Sequence, residues 1–381
     1  MSEIALSDPD ITQTELDALH GVLSSARVSA GPVVESFEAA FAAYLGRRYA
    51  VAVGSATIGL MLVLRAYGIG ADDEVIASPH GWRETAHAIA LAGARPAFAD
   101  IDYWAGTLVP EKAEARITPH TRAILVGNPN GHPAPWAEFR ALAARYGLTL
   151  IEDSSEAIGS VYQGARVGTF GDCAVFDFSQ PSPLVCGEGG MVVTDDPDIA
   201  AALRRHRSRR PEERSSVVLG AVTPVQAGMS DLSAALGMTQ LQRLDVILQK
   251  RKQVEAFYLS SVQSFEGIKD PFVAPEADEV HWFLYVVHLG TRFTRSSRDA
   301  IVEDLRTEHV QATAYSQPLH LQPFYFEQGH RRGDFKVTEK VADRAVALPF
   351  HTHLSLGHVA FIVGTMKDAS INVGAGAAIY L

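Results

Sequence analysis

Cysteine is nearly missing from this 381-residue chain, which has only Cys173 and Cys186. Two cysteines cannot build a disulfide framework, and their spacing matches no zinc motif, so both are expected to be small buried hydrophobes. Lysine is scarce as well: the seven stand at 112, 250, 252, 269, 336, 340 and 367, leaving none from 113 to 249. No apolar run approaches the ~20 residues that cross a bilayer. The N-terminal MSEIALSDPD has neither the basic nor the apolar region of a signal peptide. These absences predict a cytoplasmic protein with no membrane partner. A net charge of −11 argues against non-specific nucleic-acid binding. The local exception is RRHRSRRPEER, residues 204–214, which reads as a solvated loop or an anion-binding one.

What is present is a large apolar complement, 47% of the chain, more than one compact core usually holds. Two domains are expected, over residues 1–245 and 246–381. In the first, strand patterns such as YAVAVG (49–54), EVIASP (74–79), AILVGN (123–128) and LTLIEDS (148–154) alternate with helical ones. The helical spacing of Val34, Phe37, Phe41 and Leu45 marks one helix, and Ser55 caps the next. This alternation predicts an α/β fold with a mostly parallel sheet covered on both faces. In such sheets the carboxyl ends of the strands build the site. Ser55–Thr57, His80–Trp82, Asn128–Gly131, Asp153–Glu156 and Asp177–Ser182 should therefore converge. A long helix is expected over 231–262. Beyond it, a strand at 281–289 and helices at 297–309 and 337–348 suggest a smaller α+β domain.

Several segments carry a resemblance that runs nearly end to end: GPVVESFEAAFAAYLGRRYAVAVGSAT, YGIGADDEVIASP, LIEDSSEAIGS, GTFGDCAVFDF, CGEGGMVVTDD, DLSAALGMTQLQRLD, QPLHLQPFY and LPFHTHLS. Together they resemble the DegT/StrS-type nucleotide-sugar aminotransferases, which have the aspartate-aminotransferase fold and bind pyridoxal phosphate. The resemblance implies a seven-stranded-type sheet, a homodimer and a small-molecule substrate. It implies that Asp153 pairs with the cofactor's ring nitrogen. It also implies that Trp82 stacks on the ring, and that Ser55, Ala56 and Thr57 hold the phosphate at a helix start.

The chain departs from that pattern in FDFSQPSPLVCGEGG (176–190), where the family's cofactor-binding lysine falls on Ser182. A hydroxyl cannot form the imine that a lysine forms. A phosphate-binding serine of the family becomes Asp177, a Gln or His becomes Glu156, Asn-Tyr-Arg becomes Gln226-Ala227-Gly228, and a His becomes Phe283. A carboxylate about 4 Å from a phosphate costs roughly 4 kcal/mol per pair of unit charges at an effective dielectric near 20.

These departures lead to the expectation of a pocket without cofactor, or one holding pyridoxal or pyridoxamine phosphate only non-covalently. Glu156, Asp177, His80 and Ser182 are the catalytic candidates, because carboxylates sharing a pocket push each other's pKa upward and can supply an acid/base pair. Ser55, Ala56, Thr57, Trp82, Asp153, Ser179, Gln226 and His320 are the pocket candidates, and no metal site is expected. The substrate would be an amine-bearing or sugar-like intermediate. The alternatives are a sugar dehydratase-like enzyme with a non-covalent cofactor, and a non-catalytic ligand-binding or partner-stabilising homologue.

Overall fold

A computed structural model of the chain describes residues 3–81, 84–207, 224–262 and 268–378. Seven strands form the main sheet: β1 (Tyr49–Val53), β2 (Glu74–Ala77), β3 (Arg95–Phe98), β4 (Thr121–Gly127), β5 (Thr149–Asp153), β6 (Cys173–Asp177) and β7 (Gly190–Thr194). Their order is β1-β7-β6-β5-β4-β2-β3. Only β7 runs against its neighbours, so the other six point the same way and their carboxyl ends share one edge. Apart from the edge strand β3, these strands are almost entirely buried, which is why they read as apolar runs and not as alternating patterns.

Helices cover both faces: α1 (Gln13–Leu23), α2 (Pro32–Leu45), α3 (Ala56–Ala66), α4 (Glu84–Leu91), α5 (Trp136–Tyr146), α6 (Pro197–Arg207) and α7 (Asp231–Val262). Helix α2 starts with Pro32 at its first position, and its free amides at Gly31 and Val34 are met by the Asp231 carboxylate, 3.0 Å from each. Its apolar stripe of Val34, Phe37, Phe41 and Leu45 is buried. Phe41 stands 5.1 Å from Phe176 and 5.4 Å from Phe178, ring centre to ring centre, and so seals α2 onto β6. Gly190 stands where β7 passes the start of α3: a Cβ there would lie 2.8 Å from Ala56 N. The glycines of GEGG thus include one that lets a strand and a helix start touch. Both cysteines are buried, and burial pushes their thiols upward, Cys173 to about 11.

Arginines of the basic segment are built into this framework. Arg207 donates to Ala52 O and to Glu38, and Arg204 to Ala50 O. The segment's remainder, 208–214, lies outside the described residues.

The second sheet, in order β8 (Ile268–Lys269), β9 (Tyr285–Leu289), β11 (Ala345–Leu348), β10 (Thr313–Ala314), is antiparallel. It shares one apolar core with α8 (Arg295–Thr307) and α10 (Leu356–Ala378). The helix expected over 337–348 is divided: α9 (Lys336–Ala342) ends, and the apolar run AVAL becomes β11, fully buried between two strands. A short apolar run carries no period that tells helix from strand, so the vacant place between β9 and β10 decides it. Helix α7 runs unbroken through residue 245, where a boundary was expected. Its buried Arg251 donates to the carbonyls of Phe350, Trp282 and Phe283, which fastens it to the second sheet.

Phe41→Ala is expected to lower unfolding free energy by about 3–5 kcal/mol, the range for a fully buried aromatic, read as a reduced urea midpoint with unchanged slope.

Candidate functional site

The shared edge of the parallel strands encloses a small cavity lined by Ser78, His80, Thr85, Asn128, Asp153 and Glu156, among others. Strand β5 delivers Asp153, its last residue, and the turn that follows delivers Glu156. Asp153 is buried, with Oδ2 accepting from the Thr85 hydroxyl at 2.6 Å and Oδ1 from Ser155 N–H at 3.1 Å. Burial pushes its carboxyl upward and the charge of Asp177 adds to this, while the bonds from Ser155 and Thr85 oppose it.

Glu156 Oε2 accepts from Asn130 N–H at 2.6 Å and from the Tyr315 hydroxyl at 2.7 Å. Asn130 adopts a left-handed conformation, φ 50°, which asparagine tolerates better than most residues. The turn aims its amide at Glu156 and its side-chain oxygen at Leu284 N–H, 2.9 Å away. Burial, reinforced by Asp153, pushes Glu156 up to about 7. It is thus an acid that changes charge near neutrality. His80 is also buried, and burial with a contribution from His288 lowers it to about 3, so its ring is neutral. Its Nδ1 has no hydrogen-bond partner among the described residues.

Of the four residues expected to do catalysis, the structure brings Glu156 and His80 together around Asp153. It places the other two elsewhere. Asp177 does not line this cavity; its Oδ2 accepts from Ala56 N–H at 2.9 Å, at the start of α3, and Oδ1 is held by Ser179 N–H and the Ser179 hydroxyl. The reason is electrostatic: the first amides of a helix are an anion site, and the carboxylate that ends β6 reaches them. Ser182 lies in a different cavity, with Asp10, Arg251, His351 and Thr352, and its hydroxyl accepts from Leu184 N–H. The loop from Ser179 to Pro183 turns it toward the N-terminal arm and away from Asp153.

The remaining pocket candidates also separate. Ser55 is the N-cap of α3, accepting from Ile58 N–H, with Ala56 and Thr57 in the first turn. Gln226 is exposed, and His320, fully buried, is paired through Nε2 with Glu339 at 3.0 Å; neither lines the cavity. Trp82 lies outside the described residues. Lys112 and Lys250, which flank the lysine-free stretch, are engaged elsewhere: Lys112 Nζ lies 3.0 Å from Ile101 O, and Lys250 Nζ lies 2.7 Å from Asp10. Among the described residues no cluster of His, Cys, Asp and Glu suits a metal ion, and no helix is long and apolar enough to cross a membrane.

Sequence reasoning placed Asn130 at the converging strand ends without a role, and missed Thr85 and Tyr315. Thr85 was legible only as a helix start, and Tyr315 lies 159 residues from the carboxylate it binds. The donor set suits one end of a pyridoxal-type cofactor: a buried carboxylate, fixed by two hydrogen bonds, can face a protonated ring nitrogen. It suits the other end poorly, because Asp177 holds the amide at the start of α3.

Residues 9–367 match the DegT/DnrJ/EryC1/StrS aminotransferase family. The spore coat polysaccharide biosynthesis protein SpsC of Bacillus subtilis is 33% identical, across 94% of this chain and 95% of SpsC. The structure of S. venezuelae DesV in complex with a ketimine intermediate is 31% identical, covering 97% of this chain and 99% of that one at a TM-score of 0.89. Helicobacter pylori PseC, an aminotransferase involved in the biosynthesis of pseudoaminic acid, is 25% identical at a TM-score of 0.90, covering 97% and 100%. These likenesses correct the expectation of a pocket without cofactor: an aminotransferase family, with a relative solved around a ketimine, points to pyridoxal phosphate instead. Matched from residue 9 to residue 367 and sharing a third of its residues with SpsC, the chain belongs to the DegT/DnrJ/EryC1/StrS aminotransferase family.

Proposed function

We propose that the protein is a cytoplasmic, sugar-directed member of its family that holds a pyridoxal-type cofactor without a covalent lysine link. The observation that carries this reading is the pairing of a buried strand-end carboxylate, Asp153, with a second acid, Glu156, in a cavity with no lysine among the described residues that line it. Ser at position 182 agrees with it. The sugar-directed part is supported by SpsC, a spore coat polysaccharide biosynthesis protein, and PseC, an aminotransferase involved in the biosynthesis of pseudoaminic acid.

A pyridoxal-type cofactor supplies an electron sink for bonds broken at the carbon it is attached to. Asp153 would hold the proton on its ring nitrogen, with Thr85 and Ser155 fixing the carboxylate's direction. Glu156, poised near neutrality, would give up or take a proton on the cavity side. His80, kept neutral by burial, would orient a polar group of the substrate. Asp177, fixed on the first amide of α3, would compete with a phosphate for that amide and so keep the cofactor exchangeable. A homodimer is supported by an apolar groove of about 510 Å³ lined by Ala18, Val22, Val33, Ala235 and Met238, with Leu16 and Leu23 exposed nearby.

Three measurements test this reading. Protein incubated with pyridoxal phosphate should show an absorbance band that dialysis removes, and borohydride should leave its intact mass unchanged. A borohydride-fixed adduct would instead mark a conventional lysine-linked transaminase, and no binding at all would favour a ligand-binding homologue. Asp153→Asn should weaken cofactor binding at least tenfold, about 1.4 kcal/mol, whereas Asp177→Ser should tighten it by a similar factor, both read by fluorescence titration. Light scattering after size exclusion should give twice the chain mass, and Leu23→Asp should shift the protein toward monomer.

A further inference from the structure

We propose that Tyr315 is a positioning residue for Glu156: reaching over from the second sheet, it occupies one carboxyl oxygen and leaves the other to exchange protons inside the cavity. This deepens the proton role given to Glu156 above and rests on that reading. Three observations carry it. Tyr315 follows β10 and Glu156 follows β5, so their 2.7 Å hydrogen bond ties the two sheets together at the cavity wall. Both donors, Tyr315 and Asn130, converge on Oε2; among the described residues no hydrogen bond reaches Oε1. Asn130 is held by the same part of the chain as Tyr315, because Phe283 N–H and Leu284 N–H both donate to it.

The groups facing Glu156 are few. Asp153 of β5 stands beside it and favours the protonated form. His80, from the loop after β2, stacks edge-on against Tyr315 at 5.7 Å and is neutral. Beyond it, His288 of β9 lines the adjoining cavity with Tyr315 and is also held neutral by burial. Tyr315 donates to the charged carboxylate, so its bond pulls Glu156 down while burial pushes it up. Its phenol, raised well above the ordinary range by burial first and by Glu156, stays protonated and keeps donating. Without that bond Glu156 would hold its proton to higher pH.

The sign of the stability linkage follows. Folding raises Glu156 from its ordinary value to about 7, so the folded chain keeps a proton that the unfolded chain releases. The Glu156-dependent part of stability is full below about 4.5 and falls until pH reaches about 7. The test uses protein without added cofactor. Urea midpoints are measured at half-unit steps from pH 4 to 9 for the wild type, Glu156→Gln, Tyr315→Phe and the double variant. The wild type minus Glu156→Gln isolates the fall, which should level off near 7. The same difference on the Tyr315→Phe background should level off about one to two units higher, the value of one hydrogen bond to a charged group. If both level off at the same pH, the positioning role is overturned while Glu156 keeps its proton. If the wild type shows no fall in this window, the proton role of Glu156 is itself wrong. Should Tyr315→Phe not fold, 3-fluorotyrosine at 315, a stronger donor, should move the endpoint down, and an unmoved endpoint overturns the proposal equally.

Discussion

Carboxylates taken out of water at one sheet edge are the constraint from which the rest follows. Glu152, Asp153 and Glu156 are all buried, and Asp177 stands beside them at the end of the neighbouring strand. Leaving such a group without partners costs several kcal/mol, so each must be solvated by the protein itself. Glu152 is met by Asn128, Ser154 and the amides of Gly168, Phe170 and Gly171. Asp153 takes Thr85 and Ser155, Glu156 takes Asn130 and Tyr315, and Asp177 takes Ala56 and Ser179. Each solution pins a different loop, and together they bring the β2–α4 region, the 128–131 turn, the start of α3 and the second sheet to one place.

These partners also divide the acids by task. Glu152, with five donors, is a fixed joint between β5 and the 168–171 turn. Asp177 serves as an internal anion for a helix start, where an aminotransferase pocket would want a phosphate. Of these four acids, Asp153 and Glu156 line the cavity, and burial lifts Glu156 to about 7. The four share a sheet edge and a carboxyl group, yet differ in chemistry because the hydrogen bonds available to each differ.

Ser at position 182 leaves the fold of the family in place. Helix α2, β6 and β7 keep the phenylalanine seal and the close approach at Gly190. The loop between β6 and β7 carries Ser182 to a cavity shared with the N-terminal arm. Fold and site can diverge in this way because the core rests on buried strands, whereas the site rests on a few side chains in the connecting loops.

Local patterns in the chain were enough to determine the α/β alternation, the strand-end edge, the cap at Ser55, the buried stripe of α2 and the bounds of α7, since periodicity and capping act over a few residues. The adjacency of Asp153 and Glu156 was legible for the same reason: they lie on one strand end and the turn beyond it. Only the tertiary structure decided that Asp177 turns to the α3 amides, that Ser182 and His320 leave the cavity, that AVAL forms a strand, and that Thr85 and Tyr315 enter the site. Each of these depends on a partner far along the chain, and a buried carboxylate takes whichever donor the packed fold brings within hydrogen-bond reach, a choice that no local spacing encodes.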